Sequence, residues 1–346
     1  MIGDVLVSSL LCENLRLAYP KAEIHYLVND NTVEVLLGNT SFDKLVIFDK
    51  KQQESFVELL KFSWSLRAEK YDIVIDAYSK LQSWIMVLLC GGKRKISYRK
   101  TGRTFLYTDN VIKSKEPKSY LGLSIEHRLS LLEPLNLMLK EEVEPKLYIS
   151  EAEDIKGKEI LAQHQIPTDR KTVMISLIGS DHSKTYPLEY MSALVDYIGT
   201  NYHVNILFNY FPKQREQALT IYNLCSKNTQ DKIFFDLIGS SLRDYIIIMN
   251  QCDLIVGNDG GAINMAKALN KPSFIVFSPW IDKETWATFE DGVKHVSTHL
   301  RDVKPDLIAG KKVKDLKAAY ANLYQEFKPE YIIPTLQKFL NQHLKN

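Results

Sequence analysis

Short apolar, strand-like runs alternate with helix-length segments along almost the whole chain. Six of these runs are rich in β-branched or aromatic residues, namely residues 23–28, 44–49, 71–78, 171–180, 203–209 and 272–279. Strands that alternate with helices pair in parallel. Each crossover helix carries the chain back to the end of the sheet where the previous strand began, so the next strand runs in the same direction. The pattern therefore predicts an α/β fold.

The length of 346 residues predicts two domains, at roughly 100–200 residues for each. The polar segment "EEVEPKLYISEAED", residues 141–154, is suited to connect them. We predict an N-terminal domain at residues 1–150 and a C-terminal domain at residues 151–346. Residues 328–343 are predicted to form a terminal amphipathic helix, which packs on its own domain or back on the N-terminal one.

The composition excludes several classes of protein. A net charge of +2 gives no general basis for binding nucleic acid. No apolar run reaches the roughly 20 residues that span a bilayer, and the first 20 residues carry Asp4 but no basic segment typical of a signal peptide. The cytoplasm is therefore the expected location. The four separated cysteines are predicted to be reduced and buried.

The stretch "VGNDGGAINMAKALNKPSFIVFSP", residues 256–279, predicts a strand that ends at an acid and two glycines before a helix. Ligands of open α/β sheets bind at the carboxyl ends of strands, and a helix that starts there points free N–H groups at them. Gly260 and Gly261 would let a phosphate approach the backbone, and Asp259 could bind a sugar hydroxyl. A plain turn capped by Asp259 is the open alternative.

The loop "GSDHSKTYP", residues 179–187, follows another predicted strand of the same domain. Ser180 offers a hydroxyl and Lys184 a cation. If both loops lie at one sheet edge, a diphosphate between them would meet an ammonium and a helix end, and charge-assisted hydrogen bonds are about twice as strong as neutral ones. The alternative for Lys184 is a solvated side chain.

The segment "MIGDVLVSS" places Asp4 before a predicted helix, where a carboxylate is stabilised by the helix dipole. An N-cap role is the alternative to a catalytic one. Farther along, the segment "HVSTH" carries two histidines four residues apart, but it lacks the glutamate of a zinc-protease motif, so no metal site is predicted there.

Residues 93–118 carry nine Lys or Arg and two acids, with aromatic residues between them. A solvated loop is one explanation. A patch for an anionic partner at a membrane surface is the other, and nucleic acid is a weaker third. The candidate residues for the patch are Lys93, Arg94, Lys95, Arg99, Lys100 and Arg103.

Three motifs together resemble the heptosyltransferase family of glycosyltransferases, the ADP-heptose:lipopolysaccharide enzymes and their relatives. They are "IGDVLVSSLLCENLRLAYPKAEIHYLV", "GSDHSKTYP" and "SLRDYIIIMNQCDLIVGNDGGAINMAKALNKPSFIVFSP". The resemblance implies a GT-B fold, with two Rossmann-like domains that face each other across a cleft. It also implies inverting transfer from a nucleotide-sugar donor on the C-terminal domain to an acceptor on the N-terminal one, without a metal or cofactor.

By the same resemblance, Asp4 matches the general base of the family and Lys184 its donor-phosphate lysine. Ser180 matches a phosphate-contacting position, and the residues from Asp259 to Gly261 match the nucleotide-sugar loop. The chain departs from the family at Asn264, a donor-binding position where the family has His. Residues 209–217 lack an obvious acid for the donor ribose, so a nucleotide or sugar other than that of ADP-heptose is left open.

A third departure concerns the N-terminal sheet. The family has a strand before its Gly-Asp loop, whereas only two residues precede Gly3 here, so the first strand is expected to be absent or replaced by another segment. The sequence thus predicts a peripheral, cytoplasmic glycosyltransferase that moves a sugar, expected to be a heptose, to a lipopolysaccharide-core or related glycolipid. With this resemblance, the basic residues between 93 and 118 are expected to bind the anionic glycolipid acceptor at the inner membrane surface. A catalytically weak nucleotide-sugar-binding or scaffold protein on the same fold is the alternative.

Overall fold

The structure, a computed structural model, describes residues 2–137 and 143–345 of the chain. The chain divides into two compact units, Met1–Pro145 and Lys146–Asn346. Residues 141 and 142, the first two of the predicted connection at residues 141–154, lie outside the described residues. Among the described residues, no helix has both the length and the apolar character needed to cross a membrane.

The second unit contains one six-stranded sheet in which all neighbouring strands are parallel. Its strands are β6 (Lys171–Ser176), β7 (Val204–Asn209), β8 (Ile233–Phe234), β9 (Leu254–Asn258), β10 (Ser273–Val276) and β11 (His295–Thr298). The spatial order is β11-β10-β9-β6-β7-β8. If β6 is counted as the first strand, this is the Rossmann order 3-2-1-4-5-6.

Eleven helices of the second unit are described. They are α6 (Glu151–Gln163), α7 (Leu188–Asn201), α8 (Arg215–Leu224), α9 (Lys227–Gln230), α10 (Leu242–Asn250), α11 (Gly261–Ala268), α12 (Lys283–Trp286), α13 (Leu300–Val303), α14 (Val313–Ala318), α15 (Tyr320–Gln325) and α16 (Pro329–Leu344). The sequence predicts four of the six strands, β6, β7, β9 and β10, because strands covered on both faces are nearly continuous apolar runs. Every residue of β9 is buried. The terminal helix α16 packs within this unit, where Phe339 lies 5.7 Å from Phe274, centroid to centroid.

The first unit contains two separate parallel sheets, with orders β1-β2 and β3-β4-β5. Its elements are α1 (Ile2–Ala18), β1 (His25–Asn29), β2 (Lys44–Phe48), α2 (Lys50–Glu54), α3 (Phe56–Ser65), β3 (Ile73–Asp76), α4 (Leu81–Leu89), β4 (Arg94–Tyr98), β5 (Asp109–Val111) and α5 (Leu123–Ser130). Among the described residues, no strand precedes α1.

A cavity of about 580 Å³ lies between β1 and β3, and we call it the β1–β3 cavity. Both of these strands line it along their whole length, together with one side of α1 and one side of α4. The edge strands β1 and β3 of the two sheets therefore border this cavity on opposite sides.

Candidate functional site

The two predicted donor loops lie at the same edge of the second sheet. β6 and β9 are parallel neighbours, with Ser176 opposite Gly257. The 179–187 loop follows β6 and the turn Asp259–Gly261 follows β9. Because the carboxyl ends of parallel neighbours meet at one edge, the loops are adjacent.

Asn258, the last residue of β9, ties the two loops together. Its buried amide donates to the carbonyl oxygens of Ser176 and Leu177 at 3.1 and 2.7 Å, and its amide oxygen accepts from the N–H of Tyr186 at 2.8 Å. Gly257 has φ +138°, and a Cβ there would lie 2.3 Å from the Ser176 carbonyl oxygen. The close contact between the strand ends therefore requires glycine at this position.

Hydrogen bonds within the 179–187 loop fix the position of Lys184. Asp181 accepts from the N–H and the hydroxyl of Ser183, at 2.9 and 2.6 Å. The Ser183 carbonyl accepts from the Trp280 indole N–H at 2.8 Å. A Cβ at Gly179 would lie 2.3 Å from the Lys184 carbonyl oxygen, so the loop closes tightly on itself. Ser180 is exposed at its tip.

Two ammonium groups lie near the ring of Trp280. The Nζ atoms of Lys184 and Lys317 are 5.6 and 4.6 Å from the ring centroid, within the range of cation–π attraction. Within residues 2–137 and 143–345, no carboxylate forms an ion pair of 4.0 Å or less with either lysine. Burial would raise the pKa of Asp181, but hydrogen bonds from Ser183 and the charges of Lys317 and Lys184 hold it below its usual value. This edge can therefore bind an anion.

Asp259 faces the same edge and is half-buried. Burial raises its pKa, although the charges of Lys184 and Lys267 act in the opposite direction. Burial likewise lowers the pKa of Lys267 to about 8, and its ammonium donates to the Thr288 carbonyl at 2.5 Å. A ligand hydroxyl that hydrogen-bonds to the Asp259 carboxylate would favour its charged form.

Gly260 leaves open space beside the backbone of the turn. A Cβ at Gly260 would meet no heavy atom within 4 Å, and α11 begins at Gly261. The side-chain amide of Asn264 donates to the Gly260 carbonyl at 3.0 Å, so it closes the first turn of α11. The free N–H groups of this turn remain available to a phosphate.

The structure places Asp4 inside the first turn of α1, rather than in a loop before the helix. Its carboxylate accepts from the Arg128 guanidinium at 2.8 Å, and both side chains are largely buried. Lys113 lies nearby, with its Nζ 3.9 Å from the Tyr98 ring centroid. Burial lowers the pKa of Lys113 to about 8, and the charges of Arg128 and Lys100 add to the effect. This edge of the first unit therefore brings the Asp4 carboxylate together with three cations, Arg128, Lys113 and Lys100.

The predicted basic patch is divided between the two ends of β4. At the amino end, Lys93 pairs with Asp72 at 2.7 Å and Arg94 with Asp109 at 2.9 Å. Lys95 lies within the strand. The other three cations follow the carboxyl end and are exposed, namely Arg99, Lys100 and Arg103. Five strand residues separate the two groups by roughly 16 Å, so only the second group shares the edge of Asp4.

The histidines of the "HVSTH" segment have protein partners. His295 is 3.0 Å from the Ser273 hydroxyl, and Nδ1 of His299 accepts from the N–H of Arg301 at 3.0 Å. Among the described residues, no group of three or more His, Cys, Asp or Glu side chains is arranged to hold a metal ion.

These histidines make the folded state sensitive to acid. Burial lowers the pKa of His295 to about 3 and that of His299 to about 4, from 6.5. The unfolded chain therefore binds protons below pH 6.5 that the folded chain does not, and the free energy of unfolding falls as the pH drops towards 4. We expect a loss of about 2 kcal/mol for each histidine between pH 6.5 and 5, measured by urea unfolding.

A matched pair of variants isolates this effect. His299→Asn retains an oxygen that caps α13 but removes the titrating group, so the pH dependence becomes weaker. His203→Gln replaces an exposed histidine, whose side chain is 70% accessible, and should leave the pH dependence of the free energy of unfolding unchanged. Equal pH dependence in all three proteins would contradict the assignment to His299.

Several residues of these sites were not predicted from the sequence, namely Asn258, Trp280, Lys317 and Arg128. The sequence did give an indication for Asn258, because it is a polar residue at the end of an otherwise apolar strand. It gave no indication for Lys317 or Arg128, because each approaches its partner through a contact between distant parts of the chain.

Comparison with known proteins identifies the family. A family model described as glycosyltransferase family 9 (heptosyltransferase) matches residues 59–316. Lipopolysaccharide heptosyltransferase 1 of Campylobacter coli is 24% identical over 287 residues, which is 80% of this chain and 81% of that protein.

Two solved structures share the fold across nearly the whole chain. A family 9 glycosyltransferase of Veillonella parvula has a TM-score of 0.81 at 18% identity, with 98% of this chain and 94% of that chain covered. The ADP-heptose lipopolysaccharide heptosyltransferase II of Escherichia coli has a TM-score of 0.71 at 18% identity, with 99% and 96% covered. The predicted GT-B class, α/β with two Rossmann-like units, is thereby confirmed. Since the family model spans most of its length, the chain belongs to glycosyltransferase family 9, the heptosyltransferases.

Proposed function

We propose that this glycosyltransferase moves a heptose from a nucleotide-diphosphate donor, ADP-heptose, to a hydroxyl of a lipopolysaccharide-core or related glycolipid. The transfer inverts the anomeric carbon and needs no metal ion. One observation carries the proposal: Lys184, Lys317 and the turn Asp259–Gly261 meet at the carboxyl edge of a Rossmann sheet.

This edge suits a nucleotide diphosphate. The two ammonium groups neutralise the phosphates, and the N–H groups at the start of α11 add hydrogen bonds. Asp259 accepts a hydrogen bond from a sugar hydroxyl, with Ser180 as a second polar contact. As the bond from the anomeric carbon to the diphosphate breaks, negative charge grows on the leaving group, and these fixed groups stabilise it.

The edge of the first unit that holds Asp4 suits an anionic acceptor. Arg128, Lys113 and Lys100 would bind its phosphates or carboxylates, and Arg128 orients the Asp4 carboxylate. Asp4 takes the proton of the acceptor hydroxyl as the hydroxyl oxygen attacks the anomeric carbon from the side opposite the leaving diphosphate.

A membrane-facing loop is part of the proposal. Phe105 is 79% exposed and follows the exposed cations Arg99, Lys100 and Arg103. Cations bind the anionic headgroups of lipids, and an aromatic side chain beside them enters the interface. We infer that this loop holds the protein at the inner face of the cytoplasmic membrane, where a glycolipid acceptor is presented.

A donor screen tests the function. Because β7 ends in Asn209 rather than an acid, the screen includes ADP-, GDP- and UDP-sugars. A donor at 100 times its Kd stabilises the fold by about 2.7 kcal/mol, which thermal unfolding detects. We expect ADP-heptose to give the largest rise in Tm, and release of ADP when a lipopolysaccharide-core acceptor is added. A rise in Tm without nucleotide release would favour a binding or scaffold protein instead.

A further inference from the structure

The outer face of α3 is apolar, although it is exposed. Val57, Leu60 and Trp64 recur at the helical spacing i, i+3 and i+7, and Phe56 precedes them at the first position of the helix. Phe56 and Trp64 are 64% and 59% exposed, which leaves more than half of each residue in water. Leu59, on the opposite face, is buried. A surface helix normally carries polar residues on its outer face, so an apolar outer face indicates a partner that covers it.

The exposed face of α4 continues this surface. The two helices pack side by side, and Leu59 of α3 and Met86 of α4 are buried in one cluster. Since both helices bury their inner faces in the same cluster, their exposed faces point to the same side. Leu81 and Leu88 are exposed there, and their spacing of seven residues places them on one side of α4. We call the two outer faces the α3–α4 surface, which consists of Phe56, Val57, Leu60, Trp64, Leu81 and Leu88.

The charge at the α3–α4 surface is positive. Glu58, the one acid of α3, lies 2.9 Å from Lys61 and 3.5 Å from Lys51, so two ammonium groups neutralise its charge. The residues of α4 include no acid. Arg67 follows the carboxyl end of α3, and its guanidinium lies 5.2 Å from the Trp64 ring centroid. Within residues 2–137 and 143–345, no carboxylate forms an ion pair of 4.0 Å or less with Arg67, so its charge is available to an anion.

The same combination of aromatic rings and cations continues into the loop after β4. α4 contacts the turn Thr104–Leu106, which carries the exposed Phe105. The Arg103 guanidinium lies 4.5 Å from the ring centroid of Trp84 on α4. Because β3 and β4 are parallel and α4 follows β3, α4 begins at the sheet edge where this loop lies. The α3–α4 surface is therefore continuous with the loop that the proposed function assigns to the membrane.

We propose that the α3–α4 surface binds an anionic lipid bilayer. Aromatic and leucine side chains of a surface helix enter the boundary between headgroups and acyl chains, and neighbouring Arg and Lys side chains extend to the headgroup phosphates. A second copy of this chain fits less well, because a two-fold interface would bring the same cations together. This role rests on the proposed function, in which the acceptor is a membrane glycolipid.

Co-flotation of the full chain with vesicles, in the absence of donor and acceptor, tests this role. Vesicles of phosphatidylcholine and phosphatidylglycerol supply the anionic bilayer, and phosphatidylcholine alone should take up at least about tenfold less protein. We expect Leu60→Gln/Trp64→Gln to lower the partition coefficient at least about tenfold, because two apolar side chains no longer enter the interface. The matched control Ile155→Gln/Leu224→Gln changes two exposed apolar side chains of the second unit and should bind as the unaltered protein does.

Tryptophan fluorescence locates the contact. The emission of Trp64 should shift to shorter wavelength when anionic vesicles are added, because its ring moves from water into the interface. Trp64→Phe keeps an aromatic side chain, so it should retain most of the binding while the shift becomes smaller. An unchanged shift in Trp64→Phe would overturn the contact through α3.

The remaining outcomes are equally decisive. Unchanged partition of Leu60→Gln/Trp64→Gln, or an equal fall in the control variant, would overturn the proposal. Equal uptake by phosphatidylcholine alone would overturn the anionic lipid as the partner, and so would a loss of binding that only Phe105→Ser causes. A concentration-dependent dimer that Leu60→Gln/Trp64→Gln abolishes, without vesicle binding, would point to a second copy instead.

A soluble, deacylated core acceptor separates this proposal from the proposed function. ADP release with that acceptor needs no bilayer, so Leu60→Gln/Trp64→Gln should retain the rate of the unaltered protein. Vesicle binding that depends on the α3–α4 surface, without any ADP release, would support the surface and contradict the proposed function. ADP release without vesicle binding would overturn the surface alone.

Discussion

The variant Lys184→Ala is expected to lower kcat/KM for glycosyl transfer by about 10²- to 10³-fold, the cost typical of removing one group that stabilises a leaving anion. The Lys184 ammonium is held at the edge of the sheet by a closed loop, and it forms no ion pair with a carboxylate in the part of the chain that the structure describes. Its removal therefore takes a charge from the donor diphosphate without breaking an internal salt bridge.

Calorimetry of ADP binding and initial rates of ADP release measure this effect. Lys338→Ala, on the exposed side of α16, is the matched control and should leave both unchanged. Lys184→Arg retains the charge and should recover part of the activity. We expect a smaller loss, roughly tenfold, for Lys317→Ala, because Lys317 is the more exposed of the two. Full activity of Lys184→Ala would exclude this edge as the diphosphate site.

The variant Asp4→Asn is expected to lower kcat by about 10²- to 10⁴-fold and to leave donor binding unchanged, because an amide cannot take the proton of the acceptor hydroxyl. Asparagine keeps an oxygen that can accept from Arg128, so the position of the side chain is retained. The measurement is the rate of ADP release with a lipopolysaccharide-core acceptor, compared with the Kd of ADP.

The control for this variant is Asp72→Asn. Asp72 is an exposed carboxylate of the same unit, placed before the amino end of β3 and paired with Lys93 on the surface. The Asp72→Asn variant should therefore leave kcat unaltered. If Asp4→Asn turns over as fast as the unmodified protein, Asp4 is a structural partner of Arg128 and the proton goes elsewhere.

The sequence predicted the central strands of the second unit, and the physical reason lies in their burial. β6, β7, β9 and β10 are covered on both faces, so each reads as a mostly apolar run. Lys184 and the turn Asp259–Gly261 could therefore be assigned to the loops after two of these strands, and a shared edge was a hypothesis that the strand order supports, because parallel neighbours end together. Whether each of these residues has its proposed role stays a prediction.

Contacts between distant segments of the chain could not be predicted from the sequence. Asn258 ties β6 to β9 through three hydrogen bonds, and nothing in its own segment specifies the partners. In the first unit, a run of positive charge looked like one patch, but a strand passes through it. Arg94 and Lys100 consequently lie towards opposite ends of β4. This separation can be recognised only when the bounds of the strand are known.

Trp280 is an intrinsic fluorescent probe at the edge of the second sheet. The indole is half-buried at the second sheet edge and has two ammonium groups within 6 Å of its ring. Because a nearby charge changes the emission of an indole, any anion that draws Lys184 or Lys317 away from the ring alters the fluorescence. Occupancy of this edge can thus be followed in real time with unlabelled protein, whatever nucleotide it prefers.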